Sequence, residues 1–154
     1  MKKSMLFLSL ILSAPYIMAN ELSSCPNKSE IIYQQGVYTT ADGKWLGVSV
    51  GVENSGDVRH FLYVKYIPYN AFNMDIGRLN NCTYALASGS VDMYFYDERA
   101  LALEGVFVSL MGHMFWEKTT TSGKESYICT ASSVNDCTFT RLDDDVVDDY
   151  KNRQ

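Results

Sequence analysis

Four cysteines, Cys25, Cys82, Cys129 and Cys137, carry the most definite chemistry in this chain. Thiols so spaced either bind a metal or pair as disulfides. No C-x-x-C pair exists and only two histidines are available, so a zinc site lacks ligands. Disulfides are the stronger reading, and four cysteines admit three pairings. Cys129 and Cys137 flank a predicted hairpin turn, which favours joining them and leaves Cys25 for Cys82. On the loop-entropy estimate, the nine-residue ring contributes about 2.6 kcal/mol and the 58-residue ring about 4.2.

The other reactive groups fit catalysis poorly. Gly47-Val48-Ser49-Val50-Gly51 matches G-x-S-x-G, which exposes a nucleophilic serine only at a sharp strand-to-helix turn. Here one strand alternation runs through the motif and turn residues follow, so Ser49 reads as a strand residue. His60, beside Arg59, and His113, inside an apolar run, are the candidates for base chemistry near neutral pH. His113 is expected to be a hydrogen-bonded sheet residue. Glu53, Asp57, Asp92 and Glu117 lie on or beside strands, and nothing selects two of them as a glycosidase pair. No catalytic residue, metal or cofactor is assigned.

Strands must position these groups. Leu46, Val48, Val50 and Val52 alternate with Gly47, Ser49, Gly51 and Glu53, a period of two. Residues 61–67 form the next predicted strand, ended by Pro68, and 69–81 read as an irregular loop leading to Cys82. Residues 97–104 are ambiguous between helix and loop. Residues 106–116 look like a strand buried on both faces, followed by strands over 126–130 and 137–142. About seven short strands with close turns predict an all-β fold, an antiparallel sandwich or small barrel stapled by disulfides. The five aspartates after residue 142 read as a frayed acidic tail, since the calcium-loop spacing is missing.

Tyrosine is the abundant binding residue. Tyr63, Tyr66, Tyr69, Tyr94 and Tyr96 can share one exposed patch, because tyrosine offers rigid area with a polar tip. Val91, Met93 and Phe95 alternate with Asp92, Tyr94 and Tyr96. If the first set faces the core, the second meets water, and Asp92, Tyr94 and Tyr96 become the candidate binding residues.

Residues 1–19 have the order of a secretory signal: Lys2 and Lys3, an apolar run over 5–12, and a small-residue exit at Ala19. The run is too short to span a bilayer, and no later stretch is predicted to anchor the chain. Cleavage after Ala19 predicts one domain over 20–142 in an oxidising compartment, periplasmic or secreted. Leu22-Ser23-Ser24-Cys25 also resembles a lipobox. Asn20 and Glu21 interrupt the apolar run before it, and lipidating Cys25 would leave three cysteines, so cleavage after Ala19 is favoured. Removing residues 1–19 leaves 11 basic and 18 acidic residues, a charge of −7. That sign argues against nucleic acid and anionic membranes and favours a cationic partner.

Cys25-Pro26, Gly36-Val37-Tyr38-Thr39, Gly43-Lys44-Trp45, Cys82-Thr83-Tyr84, Trp116, Tyr127-Ile128-Cys129 and Cys137-Thr138-Phe139 together resemble a family of small secreted Gram-negative bacterial proteins carrying a domain of unknown function. The resemblance implies a one-domain extracytoplasmic protein and supplies no catalytic residues. Ser126-Tyr127-Ile128-Cys129 also resembles the tyrosine-x-cysteine strand of periplasmic lysozyme inhibitors, although Thr130-Ala131-Ser132 lacks the glycine expected there. The sequence therefore predicts a non-catalytic binding protein with a protein or glycan partner. A lysozyme-inhibitor-like protein and a small secreted hydrolase are the alternatives.

Overall fold

The computed structural model describes residues 21–49, 53–70, 73–96 and 105–153. The signal segment 1–19 and the ambiguous stretch 97–104 lie outside the described residues. The chain is mostly antiparallel β-structure, curled into a half-barrel sheet.

The described strands are β1 (Leu22–Ser23), β2 (Ile31–Gln34), β3 (Val37–Thr40), β4 (Trp45–Val48), β5 (Ser55–Pro68) and β6 (Gly77–Ser88). They continue with β7 (Ser90–Phe95), β8 (Phe107–Ser109), β9 (Glu117–Thr121), β10 (Lys124–Cys129) and β11 (Phe139–Arg141). Helix α1 (Asp144–Asn152) follows. The sheet runs β1-β11-β8-β6-β7-β4-β3-β2, with β5 on β6, β10 on β5 and β9 on β10. Several of these strands are only two to four residues long, which is why about seven were visible by pattern.

The spine is the β5–β6 pair. Its register shifts at four places between Ser55 and Tyr66, and such bulges bend a strand and increase its twist. That bending curls the sheet around its own core. Residues 77–81, expected to be loop, belong to β6 instead. At Gly77 an added Cβ would lie 2.4 Å from the Ile67 carbonyl and from the Tyr66 ring, so only glycine permits this pairing. Two two-residue turns have positive φ at both positions, Gln35-Gly36 (50°, 85°) and Ser122-Gly123 (53°, 75°). That is the twist-matched hairpin geometry, and it sets the registers of β2–β3 and β9–β10.

The concave side holds the core: Tyr38, Val64, Tyr66, Leu79, Cys82, Tyr84, Met93, Val108, Leu110 and Phe139 are essentially inaccessible. Both expected disulfides are present. Cys25–Cys82 spans 6.1 Å between Cα atoms and ties the N-terminal segment to β6. Cys129–Cys137 spans 5.6 Å and closes the connection from β10 toward β11.

Two further readings change. The run 106–116 is a strand only over β8; residues 111–116 leave the sheet, exposing Met111, Met114 and Phe115. The acidic tail is not frayed where it is described, because residues 144–152 form α1. Asp144 and Asp145 sit in its first turn, where the helix dipole favours anions, and Lys151 in its last. Val147 is buried, and the Tyr150 hydroxyl accepts from Asn73 Nδ2 at 2.8 Å and Asn70 Nδ2 at 3.2 Å.

Candidate functional site

Strand β7 sorts its side chains as its alternation dictates. Val91 and Met93 are buried, whereas Tyr94 is 45 % and Tyr96 56 % exposed. The neighbouring strands extend that outer face. Tyr94 stands opposite Leu46 on β4, Leu46 opposite Thr39 on β3, and Thr39 opposite Ile32 on β2. A second row places Val48 opposite Val37 and Val37 opposite Gln34. Ile32, Val37, Leu46 and Val48 are all exposed, and neither row contains a charge. Strand β4 thus offers apolar side chains on both faces, Trp45 inward and Leu46 and Val48 outward.

Asp92 plays a different part from its two tyrosine neighbours. It is half-buried, and its Oδ1 accepts from Thr83 Oγ1 at 2.5 Å and from Asn81 Nδ2 at 2.9 Å. Asn81 also donates to Thr83 Oγ1 at 2.7 Å. Asn81 and Thr83 are themselves buried, so Asp92 satisfies polar groups that would otherwise be costly to bury. It fixes β6 against β7 at the margin of the apolar rows. Burial, and then the nearby Asp92 carboxylate, push the Tyr94 hydroxyl pKa up.

The five tyrosines do not form one patch. Tyr66 is fully buried, its ring edge-on to Tyr127 and Trp116 and its hydroxyl donating to the Asn73 carbonyl. Tyr69 is edge-on to Tyr150 and tilted against Phe107. Tyr63 is half-buried opposite Thr83, and Tyr69, though exposed, packs against Tyr150 and Phe107, which leaves Tyr94 and Tyr96 as the open pair at β7.

Beside the apolar rows lies a cleft of about 590 Å³, to which Ile32 also contributes. Cys25, Pro26 and Trp45 line it, together with the carboxylates of Glu30 and Asp42. The Thr40 hydroxyl donates to Asp42 Oδ1 at 2.6 Å. That bond and the Lys44 amide hold the Asp42 carboxyl pKa below its ordinary value. Both carboxylates are exposed and give the cleft an acidic rim.

Ser49 and His113 have structural partners. Ser49 follows β4 and its Oγ donates to the Gly36 carbonyl at 3.3 Å. His113 lies in the turn after β8, where its Nδ1 is 2.8 Å from Thr138 Oγ1 and its Nε2 2.9 Å from Thr140 Oγ1. It is hydrogen-bonded as expected, though from a turn rather than a strand, and burial lowers its pKa. His60 lies on β5. Glu53 and Asp57 lie at the approach to and start of that strand, and Glu117 opens β9. Among the described residues, no group of three His, Cys, Asp or Glu side chains is placed to hold a metal.

No described helix is long and apolar enough to cross a membrane, and two disulfides fit an extracytoplasmic protein. No curated protein and no solved structure matches the chain. A family model described as a protein of unknown function (DUF3757) matches residues 18–140, most of the chain, and the protein belongs to that family.

Proposed function

We propose that this protein is a non-catalytic binding module, exported by cleavage after Ala19 and working in the periplasm or outside the cell. The observation that carries the reading is the outer face of β2, β3 and β4, where Ile32, Val37, Leu46 and Val48 are exposed, with Tyr94 open opposite Leu46 and Tyr96 open just beyond β7. Contiguous exposed apolar surface of this kind marks interaction sites, and tyrosines are favoured anchors within them. The acidic rim of the adjoining cleft and the net charge of the chain, −5, suit a protein or glycan partner with cationic groups.

The experiment is capture of partners from envelope extract on the exported protein, followed by titration of the captured partner against the Tyr94→Ala/Tyr96→Ala protein. Binding should weaken by about 1 kcal/mol or more, the scale of an anchor residue. Undiminished affinity in a folded double variant would move the site elsewhere. Intact mass settles the export step: a diacylglycerol adduct on Cys25 would replace cleavage after Ala19 with lipoprotein processing.

A further inference from the structure

We infer that the cleft beside β2 and β4 receives a lysine or arginine residue of a peptide chain. Its cation meets Glu30 and Asp42, and its main-chain oxygen meets the Trp45 indole N–H. This rests on the reading of the chain as a binding protein and names the group that its cleft takes. At about 590 Å³ the cleft falls within the size of ligand sites, about 300–1,000 Å³. Leu22, Pro26, Ile32 and Trp45 supply apolar wall, and Glu30 and Asp42 are the only charged residues in its described lining.

Each carboxylate is anchored through one oxygen. Glu30 Oε2 accepts from the Asn27 amide at 2.6 Å and from Asn27 Nδ2 at 3.3 Å. Asp42 Oδ1 accepts from the Thr40 hydroxyl at 2.6 Å and the Lys44 amide at 3.1 Å. Their second oxygens are open to a ligand. No described residue donates to Glu30 Oε1, and Asp42 Oδ2 faces Lys44 Nζ at 3.8 Å. Both members of that ion pair are more than half exposed, so it is weak and an incoming cation can displace it. Lys28, the other lysine near these residues in sequence, donates to the Arg59 carbonyl instead.

Trp45 adds a feature independent of charge. It is only 7 % exposed, its amide bonded to Thr40 Oγ1 and its ring edge-on to Phe95. No polar atom of a described residue accepts from its indole N–H, yet that nitrogen is not sealed from solvent. Trp116, by contrast, donates to the Thr138 carbonyl. A nearly buried donor without an acceptor is costly, and in the cleft that Trp45 lines a ligand oxygen would answer it.

The ligand must therefore carry a cation, an apolar stem and an acceptor oxygen. A metal ion has neither stem nor acceptor, and no described group of three His, Cys, Asp or Glu is placed to hold one. A simple amine lacks the acceptor. An amino sugar has hydroxyls but no stem to cover Pro26 and Ile32. A basic residue in a peptide has all three, because its methylene stem packs on apolar wall while its head stays with charge.

The test titrates isotope-labelled protein with N-acetyl-lysine methylamide and follows the two indole N–H resonances by NMR. The Trp45 resonance should move saturably and the Trp116 resonance should not. N-acetyl-norleucine methylamide, which lacks the cation, should bind about tenfold more weakly, having lost both charge pairs. Glu30→Gln and Asp42→Asn keep an acceptor oxygen for their own partners and should each weaken the lysine probe about threefold. Lys44→Ala removes the competing amine and should tighten it. Trp45→Phe, followed through the Asp42 amide, should weaken it by removing the donor alone. Equal binding of the norleucine probe overturns the inference, and because that comparison uses the unaltered protein, no folding defect can obscure it. A still Trp45 resonance, equal movement of Trp116, or weakening by Lys44→Ala also overturns it. Tighter binding of glucosamine would replace the peptide with an amino sugar. The Tyr94→Ala/Tyr96→Ala protein should bind the lysine probe as the parent does; loss there would move the probe to the sheet face. Failure of the cleft thus leaves the sheet-face reading to its own titration.

Discussion

Tyr84 and Tyr94 lie on adjacent strands and have opposite fates. Tyr84 is fully buried on the concave side, its hydroxyl donating to the Pro26 carbonyl and its pKa raised by burial. Tyr94 points the other way, 45 % exposed beside Leu46. The same residue type is a core filler in one case and open surface in the other. What separates them is register, because a strand reverses its facing at every residue. Tyrosine content therefore indicates little about binding here, whereas the parity of each tyrosine along its strand indicates a great deal.

The largest effect should come from the concave side. Tyr84→Ala removes a fully buried ring and leaves the Pro26 carbonyl without its donor. Chemical denaturation should show a loss near the top of the range of about 3–5 kcal/mol for large aromatic deletions. A loss below about 1 kcal/mol would erase the distinction between the two sides. Next comes Cys82, two residues earlier on the same face. The Cys25→Ala/Cys82→Ala protein should lose about 4.2 kcal/mol, since the long ring is opened. A smaller loss than that of the Cys129→Ala/Cys137→Ala protein would contradict the ranking by ring size.

Asp92 sharpens the comparison, because it shares a face with Tyr94 yet serves the interior. Asp92→Ala strips partners from buried Asn81 and Thr83 and should cost about 1–3 kcal/mol by the same denaturation assay. Asp92→Asn retains an acceptor oxygen and should recover part of that loss. Equal behaviour of the two variants would mean that the network does not hold β6 to β7.

Much of this was legible from alternation. The split of Val91 and Met93 from Tyr94 and Tyr96, and the pairing of all four cysteines, follow from spacing alone. Residues 77–81 were not legible: Gly77, Arg78, Asn80 and Asn81 look like loop, and only the partner strands β5 and β8 and the Asp92 network make them sheet. Residues 111–116 failed in the opposite direction. An apolar run has the same composition whether it is buried or fastened outside, and the difference lies in positive φ at Gly112 and Phe115 and in the grip of Thr138 and Thr140 on His113. The helix at the C-terminal end was hidden by its aspartates. Its inward side is only buried Val147 and half-buried Tyr150 in a nine-residue helix, too little for a periodicity to show.

The smallest stability effect belongs to the outer tyrosines, and it decides whether they are surface at all. Tyr94→Ala and Tyr96→Ala each remove a ring that is half in water, so each should change folding stability by no more than about 0.5 kcal/mol. Denaturation of the double variant beside Tyr84→Ala measures the two sides of the sheet on one scale. A double loss approaching that of Tyr84→Ala would mean that the outer rows of Ile32, Leu46 and Tyr94 hold the strands together, and the face would be structural. A near-zero loss shows instead that nothing in the folded chain needs these rings. Rigid aromatic area that folding does not use is then free to serve a partner.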